Sequence, residues 1–494
     1  MFHLNMLKKG LWVLIAFVSV LCFNGCKDGA MDDDILIPPD DFDINSITDT
    51  YYDLASAELA YDWGPYNVHD PSIIKVNGTY YCYNTDVAFG TAIRPGIQIR
   101  RSKDLIDWDF VGWVFDDIPA KGKEYIESKG ATPNNSLWAP YIMKVGDEFR
   151  LYYSLASNVG RVSCIGLATS TSPIGSWVEQ DVVVTSANDG TTHTNAIDPT
   201  VLVDQSGEHW MYYGSSWDAI YSLKLDAATG LAENPGSKGE RIAHRGFTGN
   251  TINGNIEGPE IIYNDEFGKY YLFIAYDWLE TKYNVRVGRS DSPEGPFYDI
   301  NGVDMNIKSD NTPMILAPYR FDGHSGWQGV SHPSVFSDGE GQFFMAHQGR
   351  PGVNKYFMVL HVRKIFWTED GWPVVSPERY AAVDQTPVME EELVGNYEQI
   401  VFGYQIVPGF ADTQTSPDFQ DSVPMELNAD GSINGDAGQS WSYDPPWLTL
   451  NWNGGWTDVL HVERGRDWEK KVTSTILFTG LNNAGTAIWA KKID

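Results

Sequence analysis

Residues 69–85 read HDPSIIKVNGTYYCYNT, and this stretch decides the fold because four later stretches repeat its pattern. Each copy has a residue followed by proline, an apolar strand, a turn rich in Gly, Asp or Asn, and an aromatic strand. The later copies are WAPYIMKVGDEFRLYYS at 138–154, IDPTVLVDQSGEHWMYYGS at 197–215, EGPEIIYNDEFGKYYLFIA at 257–275 and SHPSVFSDGEGQFFMAH at 331–347. Their marker prolines are Pro71, Pro140, Pro199, Pro259 and Pro333, which lie 59 to 74 residues apart.

A third strand follows in several units, such as IQIRRSKDLIDW from Ile97 and VRVGRSDSPEGPF from Val285. Their apolar residues alternate with a period of two, which is typical of β-strands. Five such units predict an all-β fold whose main domain, residues 49–388, is a five-bladed β-propeller. An open sandwich of the same strands would not explain the regular period.

The repeat fades near Asp384, and residues 389–494 have a different texture. The stretches EQIVFGYQIV, LTLNWNG and VTSTILFTG are strand-like, but no marker-proline unit recurs there. We therefore expect a smaller C-terminal β-barrel or sandwich domain. Its Trp441, Trp447, Trp452 and Trp456 are expected mainly to pack in a core, although such rings also stack on sugars.

The composition and net charge limit which classes of molecule this protein can bind. Aromatic residues make up 13% of the chain, and 35 Lys plus Arg stand against 66 Asp plus Glu, giving a net charge of −31. A surface this acidic repels phosphate backbones, so no nucleic-acid partner is expected. A neutral glycan suits both the charge and the aromatic content, and we expect a monomer.

The N-terminus predicts export. Lys8 and Lys9 precede an apolar stretch from Leu11 to Phe23, which is too short to span a bilayer and suits a signal peptide over residues 1–25. Gly25-Cys26 resembles the lipobox of bacterial lipoproteins, in which the cysteine is acylated. The acidic run after Cys26 resembles export tags on surface lipoproteins of gut Bacteroidetes. We expect an acidic tether over 26–48 and a lipid anchor in the outer membrane; an ordinary secretory signal is the alternative.

Two cysteines remain in the body of the chain, Cys82 and Cys164. Both lie in strand-like aromatic or apolar runs of different repeats, and neither has metal-ligand spacing. Buried thiols are expected rather than a disulfide.

The repeats differ at the residue before each marker proline, and these differences point to the chemistry. The first strands of propeller blades line the central axis and start at the same end, so equivalent positions converge. The residues concerned are Asp70, Ala139, Asp198, Gly258 preceded by Glu257, and His332. An Asp before Pro is commonly a turn former, but clustered carboxylates repel one another and persist mainly at functional sites. We therefore predict one site with three carboxylates and a histidine.

Three carboxylates suit glycoside hydrolysis, with one acting as acid, one as base, and a third orienting the acid and keeping its proton on. The sequence has no Gly-x-Ser-x-Gly, no glycine-rich phosphate loop and no His-Glu-x-x-His. Glu260 is the second candidate for the acid, although it lies past the proline and inside the strand.

The motifs VHDPSII, SLWAPYI, NAIDPTVL, IEGPEIIY and HVRKIFWTEDGWPVVSP resemble those of glycoside hydrolase family 43, and most resemble its endo-α-1,5-L-arabinanase branch. The resemblance covers about residues 60–385, and the C-terminal part resembles the barrel of some two-domain arabinanases. It implies that Asp70 is the general base, Glu257 the general acid and Asp198 the residue that orients the acid. It also implies inversion, with a water between base and acid.

The same resemblance implies a central metal, usually calcium, near His332, with waters completing its shell. It implies substrate contacts at Trp138, at Arg350, and at the asparagine of the NAIDPTVL motif, Asn195 next to Ala196. Trp217 follows the third aromatic strand and is expected to form one wall of a groove. Residues 156–160, ASNVG, depart from the family pattern, which often has an aromatic before the glycine, so one sugar subsite and the cleavage mode stay open.

Three functions stay open at this point. The first is an endo-acting arabinanase that cleaves arabinan, a side chain of pectin. The second is an exo-acting α-L-arabinofuranosidase or β-xylosidase of the same family, which would have one end of the cleft blocked. The third is a non-catalytic, surface-bound glycan-binding propeller, which predicts a broken carboxylate trio.

Overall fold

The structure, a computed structural model, describes residues 42–49, 60, 62–87, 93–191, 193–245, 247–248, 251–252, 254–307, 312–403 and 415–493. The predicted signal peptide, Cys26 and most of the predicted tether lie outside these ranges. Within them, no helix is both long and apolar enough to cross a membrane.

Four of the repeats each form a separate antiparallel sheet of four strands in sequential order. The first contains β1 (His69–Val76), β2 (Thr79–Thr85), β3 (Gln98–Ser102) and β4 (Asp109–Trp113). The second contains β5 (Trp138–Val145), β6 (Glu148–Leu155), β7 (Ser163–Ser170) and β8 (Val178–Ser186). The third contains β9 (Thr200–Val203), β10 (His209–Tyr213), β11 (Ile220–Leu225) and β12 (Glu240–Ala243). After a short hairpin, β13 (Phe247–Thr248) and β14 (Thr251–Ile252), the fourth contains β15 (Ile256–Asn264), β16 (Lys269–Tyr276), β17 (Asn284–Ser290) and β18 (Met314–Leu316).

The fifth repeat does not form a separate four-stranded sheet, so four such sheets are observed where five blades were predicted. Its strands belong to a seven-stranded sheet: β19 (Tyr319–Arg320), β20 (Trp327–Gln328), β21 (Ser334–Ser337), β22 (Phe343–Pro351), β23 (Val359–Trp367), β24 (Pro373–Val375) and β26 (Gln420–Asp421). The reason is that β20 pairs with the end of β22, and β19 then adds β26 from the C-terminal part of the chain. The described fold is thus a propeller-like array with four separate four-stranded sheets and one larger sheet.

The first strands of the five repeats, β1, β5, β9, β15 and β21, are called the inner strands below. Side-chain hydrogen bonds connect neighbouring inner strands. They are Ile142 N to Ser72 Oγ (3.2 Å), Tyr141 OH to Val201 O (2.7 Å), Thr200 Oγ1 to Glu260 Oε2 (3.2 Å) and Ile73 N to Ser334 Oγ (3.3 Å), and the Val335 amide donates to Glu260. A small polar residue directly after the marker proline therefore has a structural role in most repeats.

Each second strand is antiparallel to its inner strand, so it ends on the face where the inner strands begin. The loops that follow these second strands therefore border the predicted site. Examples are residues 156–162, 214–219 and 277–283.

Two local features add to this picture. The one α-helix in the described ranges, α1 (Ala120–Ser128), was not predicted, and it buries only Gly122 and Ile126. Cys82 and Cys164 are both free and buried, as expected from their apolar strands.

The C-terminal domain is a closed barrel of eight antiparallel strands, which confirms the barrel alternative. A short 3-10 helix (Glu390–Leu393) precedes it, and another (Ile44–Ser46) lies near the start of the described chain. The barrel strands are β25 (Gly395–Val401), β27 (Val423–Leu427), β28 (Ser432–Ile433), β29 (Asp436–Asp444), β30 (Trp447–Asn451), β31 (Thr457–Asp467), β32 (Val472–Asn482) and β33 (Ala487–Lys492).

The barrel packs directly on the propeller. Trp489 and Phe402 belong to the same buried apolar cluster as Tyr319 and Trp327 of the seven-stranded sheet. Beside this cluster, the fully buried Lys491 ammonium contacts Glu378 at 2.9 Å, Asp467 at 3.0 Å and Glu469 at 2.6 Å. Because removing one partner of a buried ion cluster leaves uncompensated charge, these contacts fix the pairing of the two domains.

Candidate active site

The residue before each marker proline has the same unusual backbone conformation. Its φ is positive in all five repeats: 51° at Asp70, 38° at Ala139, 59° at Asp198, 53° at Gly258 and 58° at His332. A non-glycine residue in this region costs about 1–3 kcal/mol, and such residues cluster at functional sites. At Gly258 the absence of a side chain is also required, since a Cβ there would lie 3.0 Å from His332 Nδ1.

Asp70 is buried and fully hydrogen-bonded on one oxygen. Its Oδ1 accepts from His69 Nδ1 at 2.7 Å and from His332 Nδ1 at 3.0 Å, while Oδ2 accepts from the Thr85 hydroxyl at 2.7 Å. Burial alone would raise the pKa of Asp70, but the two imidazoles hold it well below its usual range. Asp70 is therefore an oriented carboxylate with a free lone pair on Oδ2, as a general base requires.

The tautomer of His69 is set by Arg350. Arg350 Nη2 lies 2.9 Å from His69 Nε2, and because arginine can only donate, that nitrogen must accept. The proton of His69 therefore lies on Nδ1 and is donated to Asp70. Burial lowers the pKa of His69, which agrees with a neutral ring. Burial also lowers the pKa of Arg350 to about 10, so its guanidinium stays charged at neutral pH.

Asp198 and Glu257 lie next to each other in the hydrogen-bond network. The amide of Gly258, the residue after Glu257, donates to Asp198 Oδ2 at 3.2 Å. Burial raises the pKa of Asp198 well above its usual range. The charge of His332 lowers this pKa, whereas the charges of Glu257 and Asp70 raise it further. Asp198 is therefore a buried carboxyl group whose protonated form is favoured beside Glu257.

Glu257 has two hydrogen-bond donors that sequence reasoning missed. The Ser215 hydroxyl donates to Oε2 at 2.7 Å, and the buried Tyr283 hydroxyl also donates to the carboxylate. Burial raises the pKa of Tyr283 well above its usual range, so it remains a donor. Both residues lie in loops that follow second strands, and this position borders the site without showing which loop residue reaches Glu257.

His332 lies where the inner strands converge. Burial alone would lower its pKa, but the hydrogen bond to Asp70 and the charges of Asp198 and Glu257 raise it to about 9. Nδ1 of His332 faces Asp70, so Nε2 is the ring nitrogen that a calcium ion could take as a ligand once it gives up its proton. The residues fit such an ion, with waters as most of its shell.

The predicted substrate contacts are placed around this cluster. Trp138 is half-buried, donates to Ser136 Oγ at 3.0 Å, and precedes Ala139, whose amide donates to the Thr85 hydroxyl at 2.8 Å. Asn195 forms an antiparallel bridge with Ser215, and Ser215 in turn donates to Glu257. Both stay predictions as substrate contacts.

Trp217 and Arg350 have contrasting positions. The Trp217 side chain is 52% exposed in the loop that carries Ser215, and its ring lies against Gly160, where a Cβ would be 3.2 Å from Cζ2. The departure from the family pattern in residues 156–160 is thus next to this ring. Arg350 is buried, with Nη1 donating to the Lys355 carbonyl at 2.6 Å, so its described contacts position His69.

Glu260, the second candidate for the acid, has a different environment. It is buried between three inner strands, where it accepts from Thr200 Oγ1 and from the Val335 amide. Burial raises its pKa to about 8. These contacts give Glu260 a structural role within the ring of inner strands.

Comparison with known proteins gives two family matches. Residues 64–373 match the model of glycosyl hydrolases family 43, and residues 377–490 match that of a C-terminal lipocalin-like domain. The first match contains every residue of the cluster described above.

Individual relatives agree with these matches. The chain is 31% identical to an extracellular endo-α-(1→5)-L-arabinanase of Thermotoga petrophila, over 90% of this chain and 97% of the relative. A crystal structure of the endo-1,5-α-L-arabinanase from Thermotoga petrophila superposes with a TM-score of 0.74 and 28% identity, covering 88% of this chain and 100% of that one. The chain is also 29% identical to an extracellular exo-α-(1→5)-L-arabinofuranosidase of Cellvibrio japonicus, over 65% of this chain and 91% of the relative.

Proposed function

The chain belongs to glycosyl hydrolases family 43, and from this membership together with its carboxylate cluster we propose that it is a glycoside hydrolase that cleaves internal α-1,5-linked L-arabinofuranosyl bonds of arabinan. The observation that carries the proposal is the geometry of the cluster: Asp70 accepts from His69, His332 and Thr85, while the neighbouring Asp198 and Glu257 accept from the amide of Gly258 and the hydroxyl of Ser215, respectively. Endo action is favoured by the endo-arabinanase relative from Thermotoga petrophila, whose similarity extends over 90% of this chain and 97% of the relative.

The mechanism proceeds with inversion. Asp70 removes a proton from water through Oδ2 as the water attacks the anomeric carbon. Glu257 delivers its proton to the leaving sugar oxygen. As Glu257 becomes a carboxylate, the hydrogen bonds from Ser215 and Tyr283 stabilise its new charge. Asp198 orients the acid, because its Oδ2 accepts from the amide of Gly258, the residue directly after Glu257.

Digestion of linear α-1,5-arabinan by the purified protein, followed by sizing of the early products, tests this proposal. Endo cleavage predicts a ladder of oligosaccharides in the first minutes. Arabinose as the sole early product would support the exo-acting alternative, an α-L-arabinofuranosidase. Absence of any product, together with binding of arabinan, would support the glycan-binding alternative and contradict hydrolysis.

The fifth repeat acts as the fifth blade in this proposal. Support comes from the hydrogen bonds that connect β21 to both neighbouring inner strands, through Ser334 to Ile73 and through Val335 to Glu260. The larger sheet then corresponds to a blade that is extended by β19, β20 and β26. We expect the active protein to be a monomer.

Calcium at His332 is part of the proposal. A cation held there would supply positive charge facing three carboxylates. Purified wild-type protein should contain about one calcium per chain, and His332→Ala should lose that ion and much of its activity while keeping its circular dichroism spectrum. Elemental analysis of both proteins is the measurement, and wild-type protein without bound metal would refute the assignment.

Lipid anchoring at Cys26 is proposed from the sequence alone. Cys26→Ala should abolish incorporation of labelled palmitate, whereas the neighbouring Lys27→Ala should not. Hydrolytic activity should be unchanged, because the cluster begins more than forty residues later. Palmitate labelling that persists in the Cys26→Ala protein would contradict the lipoprotein interpretation and leave a secreted, extracellular protein, as the relatives' names describe for those proteins.

A further inference from the structure

The C-terminal part of the chain reaches a loop that supports the catalytic acid. The residues concerned are Ser416–Asp421, which lie between the barrel strands β25 and β27 in sequence and are called the docking segment below. Its strand β26 pairs in parallel with β19, with Tyr319 opposite Gln420 and Arg320 opposite Asp421. Arg320 binds Asp421 through two hydrogen bonds of 2.7 and 3.0 Å, so the segment is attached along its length.

The docking segment also contacts the propeller through a side chain. Phe419 lies under Gly326, where an added Cβ would come within 2.9 Å of its Cε1 atom. The Arg320 guanidinium lies 5.0 Å from the centre of the same ring. Phe419 therefore packs closely against this part of the propeller surface.

One residue of the segment forms an ion pair with the loop after β16. Asp418 Oδ2 accepts from Lys282 Nζ, and only 10% of the Lys282 side chain is exposed, compared with 58% for Asp418. Burial lowers the pKa of Lys282, and the charge of Asp277 acts in the opposite direction. An ion pair with one buried partner is harder to replace with solvent than a surface pair.

The next residue along the loop is Tyr283, which donates to Glu257. Its amide also donates to the Trp278 carbonyl at 3.1 Å, closing the loop on itself. Lys282 is thus held from outside by the docking segment, while its neighbour contacts the acid. Displacing Lys282 would move Tyr283, and an error of about 1 Å in a catalytic constellation can cost as much as 10²-fold in rate.

We propose that the docking segment is a positioning element for the catalytic acid, acting through the ion pair of Asp418 with Lys282 and the hydrogen bond of Tyr283 to Glu257. The proposal rests on the proposed function of Glu257, and it gives the C-terminal part of the chain a role in catalysis. Asp418, Lys282 and Tyr283 are positioning residues, because only Glu257 transfers a proton.

The experiment compares two substrates in the full-length protein. Asp418→Asn should lower kcat on linear arabinan about tenfold, because the sugar leaving group needs a well-placed acid. The same variant should keep nearly wild-type kcat on an arabino-oligosaccharide with a nitrophenyl leaving group, which departs without protonation. Lys282→Met should show the same selective loss, and the double variant should be no worse than either single one.

Asp291→Asn is the matched control, because it breaks the ion pair of an exposed carboxylate to Lys269 at the start of β16, the end of that strand away from the loop. It should leave both activities unchanged, and the melting temperatures of Asp418→Asn and Asp291→Asn should stay close to wild type, as expected for largely exposed carboxylates. Equal losses on both substrates, wild-type activity of Asp418→Asn, or the same selective loss in Asp291→Asn would each overturn the proposal. Wild-type protein inactive on arabinan would instead refute the proposed function itself.

Discussion

Glu257→Gln should abolish hydrolysis of linear arabinan while sparing a nitrophenyl arabino-oligosaccharide. Glutamine keeps the shape of the side chain and can still accept from Ser215, but it has no transferable proton. A sugar alkoxide leaves very slowly without protonation, so a loss of about 10²–10⁴-fold is expected on arabinan. A nitrophenolate leaves unaided, and its release should fall far less. Steady-state kcat and KM on both substrates are the measurement.

Glu260→Gln is the control for this comparison, since Glu260 lies three residues further along the same strand. Burial raises its pKa to about 8, so the neutral glutamine matches the shape and charge of the protonated side chain and keeps one oxygen that can accept a hydrogen bond. The control variant should retain activity on both substrates. If Glu257→Gln lost the same factor on both, or if Glu260→Gln showed the selective loss, the acid would be misassigned.

Asp70→Asn should lose a comparable factor, about 10²–10⁴-fold, on both substrates. The attacking water has to be deprotonated whatever group leaves, and an amide cannot accept that proton. In the wild type, the His69 and His332 hydrogen bonds hold the pKa of Asp70 well below its usual range. The base is therefore ionised at mildly acidic as well as neutral pH. Protonation of Asp70 should not lower the activity of the wild-type protein in that range.

The matched control is Asp204→Asn, in a turn of the third sheet where Asp204 binds the backbone of Ser206 and the Trp210 ring nitrogen. This change should leave both activities intact. An Asp70→Asn protein that hydrolysed the nitrophenyl substrate at the wild-type rate would show that Asp70 does not activate water.

The convergence of Asp70, Asp198 and His332 was predictable because the residue before each marker proline repeats in the sequence. The structure adds a reason that the sequence does not carry, namely the positive φ at every one of these positions. Glu257 is one position earlier than the others, and Gly258 has the equivalent position. Only the folded chain shows that this glycine makes room for His332 and donates its amide to Asp198.

Other contacts could not be predicted, because they join positions that no period relates. Ser215 and Tyr283 reach Glu257 from two different loops, and the identity of a loop residue does not reveal where it points. Lys282 and Asp418 are 136 residues apart in sequence, and their pairing depends on how the barrel packs on the propeller. The same packing adds β26 to the fifth repeat, which is why a count of sequence repeats did not give the observed sheets.

The stereochemistry of the first product tests the central claim most directly. Proton NMR of linear arabinan during the first minutes of digestion by the wild-type protein distinguishes the two anomers of the new reducing end before they equilibrate. Inversion by Asp70 and Glu257 predicts that the β-anomer appears first. Initial release of the α-anomer would require a covalent intermediate on the enzyme, and would contradict the assignment of Asp70 as the base.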